Sequence, residues 1–171
     1  ETWTGEQLAD ERLDTVYALH RDTFLRHGHE PYLTRAFFAH AARTFGQAFI
    51  VKAALWRGAL VACAIFFRSA DTLYGRYWGA AADFHSLHFE TCYHQGIEYC
   101  IEAGLARFEP GTQGEHKVAR GFEPAQTRSA HLILDERFRA AIGAYLAREG
   151  RSVDAYAEAV RAHVPFRDAR R

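Results

Sequence analysis

The sequence has no methionine, three cysteines, four prolines and no excess of either charge. Each absence excludes something. Without Met there is no natural start at Glu1, so a segment upstream is expected. Cys63, Cys92 and Cys100 are odd in number and follow no paired spacing. That argues against a disulfide framework and for a reducing, cytoplasmic compartment. On a shared helix Cys92 and Cys100 would stand roughly 12 Å apart along the axis, too far to bridge. All three read as small buried apolar residues. Lys+Arg and Asp+Glu both total 21, which excludes a whole-surface electrostatic grip on nucleic acid and leaves room only for a local patch. The longest strongly apolar run, ALVACAIFF at 59–67, is far short of the ~20 residues a membrane helix needs. No secretory signal, repeat or low-complexity segment is visible.

What is present suits one folded domain. The 171 residues are 49% hydrophobic and 25% charged, enough to bury a core. Thr4 and Gln7 have capping-box spacing, and Leu13, Val16, Tyr17 and Phe24 recur at helical intervals, predicting a helix over about 5–26. Gly28 and Pro31 end it, and a second helix follows over about 34–44. FIVKAALW (49–56), ALVACAIFF (59–67) and TLYGRYWGA (72–80) are rich in β-branched and aromatic residues and are separated by Arg57-Gly58 and Ser69–Asp71. They predict a three-stranded antiparallel meander whose middle strand is buried on both faces. Phe89, Tyr93, Ile97, Cys100 and Ile101 predict a long helix over about 86–106. A short strand at 107–109, a glycine-punctuated loop and a strand at about 127–134 come next. Asp135 then caps a helix ending at Gly150, and Ser152 starts a terminal helix that leads into a basic tail over 152–171. The class is α/β or α+β, a mixed sheet covered by helices, with residues 1–171 as a single domain.

The loop FEPGTQGEHKVARGF (108–122) crowds many functional groups between glycines. If 115–120 form a helical turn, Lys117 and Arg120 share a face suited to a phosphate or carboxylate. A hydrogen-bonded loop bracing two strands is the bland alternative. On the long helix Glu90, His94 and Glu98 are four apart and share one side, as a cleft wall or a solvated face. His88 and Glu90 lie near the helix start, where anions are favoured. His85, His88 and Cys92 could ligate a metal by spacing, although no zinc signature matches. Arg35 is a further candidate contact, with capping or solvating the second helix as the bland alternative.

PYLTRAFF (31–38), LYGRYWG (73–79), LHFETCYHQGIE (87–98), FEPGTQGEHKVARGF (108–122) and VPFR (164–167) carry a resemblance over nearly the whole chain. The sequence resembles the FemAB-like N-acyltransferases, a bacterial branch of the GNAT superfamily. The resemblance implies a GNAT-like, mainly antiparallel mixed sheet flanked by helices, with the donor near the junction of the fourth strand and the following helix. It also implies that this chain is the second half of a longer two-half protein, whose upstream GNAT-like half would be a partner.

The implied activity is N-acyl transfer from acyl-CoA or aminoacyl-tRNA, as donor substrate and not as a tightly bound cofactor, to a small-molecule or peptide-like amine. The zero net charge favours the smaller donor over tRNA. Arg76, Gly79 and Ala81 fit the loose R-x-x-G-x-A pattern by which many GNAT enzymes bind coenzyme A. Lys117, Arg120, Gly121 and Phe122 resemble a basic-Gly-Phe arrangement near the nucleotide end of the donor in the related Fem ligases. Donor contacts are therefore expected from Lys117, Arg120, Arg76, Gly114 and Gly121. The candidate bases are Glu115, His116 and Glu90, with Glu98 and Glu109 also eligible. Substrate contacts are expected from Tyr77, Trp78, His88, Tyr93, Glu98, Glu109 and Gln113. The rival readings are a non-catalytic half that recognises the acceptor or braces its partner, and a zinc-dependent hydrolase.

Overall fold

A computed structural model describes residues 1–111 and 114–166. The chain forms two compact units, 1–112 and 113–171. In the first, five strands lie in the order β1-β2-β3-β4-β5. They are β1 (Thr2–Thr4), β2 (Phe49–Trp56), β3 (Ala59–Arg68), β4 (Thr72–Ala80) and β5 (Arg107–Glu109). All neighbouring pairs are antiparallel except β4 and β5, which run parallel. The expected meander is β2-β3-β4. Ala62–Phe66 of β3 are all buried, as a strand covered on both faces requires.

Helices α1 (Asp10–Arg26) and α2 (Arg35–Phe45) cover one face. Leu13, Val16, Leu19, Phe38 and Ala41 pack there on Phe49, Val51, Cys63 and Ile65. The Thr4–Gln7 capping box is present, but it closes a separate 3-10 turn at Gly5–Gln7 and α1 starts after it. Arg35 does more than solvate α2: its guanidinium pairs with Asp10 and Asp14, tying α2 to α1. The other face is covered by α3 (Leu87–Phe89), a π-helical turn at Glu90–His94 and α4 (Gln95–Glu102), wound without a break. Ile50, Ala64, Phe66 and Leu73 meet Cys92, Tyr99 and Cys100 there.

The second unit holds a 3-10 helix at Glu115–Arg120 and α5 (Glu136–Arg161). Two expectations change here. Residues 127–134 form no strand. Leu132 and Leu134 are 85% and 82% exposed, so the alternating apolar residues lack a sheet edge to join. The helix also does not end at Gly150. α5 runs straight through Gly150 and Ser152, because its i→i−4 bonds continue and one glycine costs only about 1 kcal/mol. Asp135 caps α5 as expected, accepting from the amides of Arg137 and Phe138 at 2.9 and 3.1 Å. Among the described residues no helix is long and apolar enough to cross a membrane.

Candidate functional site

Strand β4 carries an irregularity that organises the first unit. Opposite β3, Ile65 pairs with Tyr77 and Phe66 with Gly75, so Arg76 is an extra residue in the ladder. A bulge of this kind resets the alternation of side chains along its strand. Before it, Leu73 points to the α4 face. After it, Tyr77 points to the α1–α2 face and Trp78 to the α4 face. Arg76 itself is exposed, with its guanidinium 5.9 Å from the Tyr74 ring.

The same strand opens on its other side. β5 pairs with β4 only at Thr72, Leu73 and Tyr74. A Cβ on Gly75 would still touch Pro110, at 3.4 Å. Beyond that point residues 76–80 have no strand partner on the β5 side among the described residues. The open edge leads into residues 81–86 and then α3. The His88 ring lies 5.3 Å from Trp78 and 5.5 Å from Tyr93. Tyr93 is buried within the π-helical turn. The fold therefore brings Trp78, His88 and Tyr93 together at the junction of the fourth strand and the next helix, with Arg76 exposed in the bulge two residues before Trp78. π-helical turns recur at functional sites because the extra residue re-aims the side chains around it.

Tyr77 faces the opposite side. Its hydroxyl is 3.0 Å from that of Tyr32, and its ring is 4.8 Å from His20. Burial and the Tyr32 hydrogen bond push its phenol well above the ordinary tyrosine range. The R-x-x-G-x-A stretch is mostly strand, not a phosphate-cradling loop. Gly79 sits inside β4, and a Cβ there would meet the Leu19 backbone at 2.5 Å, so this glycine permits α1 to approach the sheet.

Glu90, His94 and Glu98 lie together on the outer face of the helical run, along a trough of about 660 Å³ that Ile97, Ile101 and Glu102 also line. His94 Nδ1 is 3.1 Å from Glu90 Oε2. Gln95 Nε2 donates to Glu90 Oε1 at 3.0 Å and to Glu98 Oε2 at 2.8 Å. Gln95 was not legible as a member of this set, since only a π-helical turn brings i and i+5 side by side. Its hydrogen bond and that of His94 hold Glu90 below the usual carboxylate range. Glu109 is exposed at the end of β5. Among the described residues, no group of three His, Cys, Asp or Glu side chains is placed to hold a metal ion.

The glycine-punctuated loop divides its groups differently from the expectation. Gly114, Glu115, His116, Lys117, Arg120 and Gly121 belong to the second unit, and Gln113 lies outside the described residues. The predicted turn at 115–120 exists as a 3-10 helix, in which residues three apart eclipse. Lys117 and Arg120 share one side. Glu115 and Val118 share another. Lys117 is buried, and Arg120 Nη1 donates to the His116 carbonyl at 2.7 Å. Burial first, then the charges of Lys117 and Arg120, lowers the His116 pKa. Gly121 has φ +88°, and a Cβ there would lie 2.1 Å from the Phe166 ring.

Three solved structures share the architecture, all at low sequence identity. A probable acetyltransferase superposes with TM-score 0.56 at 16% identity, over 80% of this chain and 98% of its own. A possible acetyltransferase from Clostridium difficile 630 gives 0.58 at 9%, over 79% and 98%. The aminoglycoside N-acetyltransferase AAC(6')-Iy, solved with CoA, gives 0.50 at 12%, over 79% and 93%. No functionally curated protein matches the chain. The fold is that of the GNAT acetyltransferases. Residues 1–168 match the FemAB-like family model, described as peptidoglycan biosynthesis/recognition, and the chain belongs to that family.

Proposed function

We propose that the protein is an N-acyltransferase that moves an acyl or aminoacyl group from a CoA thioester or an aminoacyl-tRNA to an amino group. The observation that carries this reading is the open edge of β4 beyond the Arg76 bulge, beside His88 and Tyr93. Backbone N–H groups without a strand partner can bind an extended donor, and fixed donors of this kind stabilise a developing oxyanion. The CoA held by one structural neighbour and the family description support the donor class and the reaction class.

In the proposed reaction the acceptor amine attacks the acyl carbonyl carbon and forms the C–N bond. The carbonyl oxygen becomes an oxyanion held by the β4 edge. His88 takes the proton from the attacking nitrogen. Collapse of the intermediate breaks the C–S bond, or the C–O bond of an aminoacyl ester. The leaving thiolate or alkoxide is then protonated, with Tyr93 as the neighbouring donor. Arg76, exposed in the bulge, would neutralise a donor phosphate.

The test is turnover of the full chain with acetyl-CoA and with aminoacyl-tRNA against a panel of primary amines, following thiol release or loss of the aminoacyl ester. Amine-dependent transfer from one donor, reduced about 10²–10⁴-fold in His88→Ala, supports the reading. A folded chain that turns over neither donor and binds neither contradicts it.

A further inference from the structure

Helix α5 and the 3-10 helix flank an open hollow of about 420 Å³ that the proposed transfer chemistry does not use. Its apolar lining is Val118, Ala119, Ala159 and Val160. Its polar lining is Glu115, Tyr156 and His163. The size and the mostly apolar wall with a few polar groups are those of a small-molecule site.

The hydrogen bonds already made decide what those polar groups can still offer. Tyr156 donates its hydroxyl proton to Glu115 Oε1 at 3.1 Å. That bond raises the Tyr156 pKa, so the tyrosine keeps the proton it donates. What remains on its oxygen is acceptor capacity. His163 Nδ1 is 2.8 Å from the Ala159 carbonyl, which can only accept. The proton is therefore on Nδ1, and in the neutral ring Nε2 is an acceptor. Glu115, as a carboxylate, accepts only. All three polar groups thus present acceptors. The side chains of Lys117 and Arg120 are not among the residues that line the hollow. The eclipsed geometry of the 3-10 helix carries Glu115 and Val118 on one side and the two cations on another.

We infer that this hollow is a binding site for a small cationic amine with an apolar body. The ammonium would sit against Glu115 and share its protons with Tyr156 and His163. The hydrocarbon would lie along Val118, Ala119, Ala159 and Val160. A carboxylate or phosphate would meet only acceptors among the described side chains that line the hollow. A neutral alcohol would fill the same space but lose the charge-assisted bond.

The inference is independent of any acyl donor, so its test needs none. The ¹⁵N-labelled full chain is titrated separately with n-hexylamine, 1-hexanol and hexanoate, following the amides of Val118, Ala119, Ala159 and Val160. Hexylamine should shift these amides saturably, with 1-hexanol about tenfold or more weaker and hexanoate without effect. Glu115→Gln keeps the shape and the acceptor for Tyr156, and should weaken hexylamine by about tenfold or more. Ala159→Phe should fill the hollow and abolish the shifts. The inference is overturned if the amine and the alcohol bind equally, if Glu115→Gln leaves the amine affinity unchanged, or if no probe moves these amides at millimolar concentration.

Discussion

Gly79 of β4 lies directly against Leu19 of α1: a side-chain carbon at position 79 would stand 2.5 Å from the Leu19 carbonyl carbon. Both partners are backbone, so neither can swing aside. Gly79→Ala should therefore destabilise the first unit by about 1–3 kcal/mol or more through overpacking. Gly143 of α5 is the control, since a methyl added there would find nothing within 4 Å. Gly143→Ala should leave stability unchanged or raise it by roughly 0.5–1 kcal/mol. Denaturant unfolding of both variants checks this, and equal behaviour would remove the close-approach role assigned to Gly79.

His20 is a buried histidine whose two ring nitrogens have no hydrogen-bond partner among the described residues, ringed by Phe24, Phe38 and Tyr77 at 4.8, 5.0 and 4.8 Å. Burial lowers its pKa in the folded chain. The unfolded chain takes up a proton near the ordinary value, about 6.5, while the folded chain does not. Stability from this site is therefore fully present above about pH 6.5 and is lost as pH falls toward the lowered folded value. His20→Phe should flatten the dependence between about pH 7 and 5 by up to about 1.4 kcal/mol per pH unit. Unchanged slopes in wild type and variant would rule the site out as the source.

Arg35 joins Asp10 and Asp14 on the exposed side of the α1–α2 pair. Arg35→Ala should lower Tm at low salt. The difference should fade near 1 M salt, where the screening length is about 3 Å. A deficit that persists in high salt would mean that packing of the side chain, not charge, is what the variant removes.

Asp135 holds the first turn of α5 by two backbone bonds. Asp135→Ala should weaken that turn by about 1 kcal/mol, seen as faster amide exchange at Arg137 and Phe138. Protection that does not change would show that the cap adds nothing.

The sequence carried the sheet well because β2, β3 and β4 are bounded by turn residues and filled with β-branched and aromatic side chains. It carried less of α5. Gly150 and Ser152 look like punctuation, yet a single glycine in a 26-residue helix is a modest penalty that cooperative hydrogen bonding absorbs. The Leu132 and Leu134 alternation looks like a strand, but a strand needs an edge to pair with, and residue composition does not supply one. At the site, Arg76, Trp78, His88 and Tyr93 were legible as residue types near one junction. The bulge at Arg76 and the π-helical turn were not, because both are one-residue insertions in hydrogen-bond ladders that no side chain announces. For the same reason the Gln95 contact with Glu90 is not legible in the sequence, whereas the shared side of Lys117 and Arg120 is, because their spacing of three suits any helical turn.

The open β4 edge as the donor site is tested most directly by amide shift mapping of the ¹⁵N-labelled chain with acetyl-CoA, and separately with a minihelix bearing an aminoacyl ester. Saturable shifts at residues 75–80 and 86–93 with one of the two are the predicted result. A folded chain in which neither donor moves those amides would contradict it.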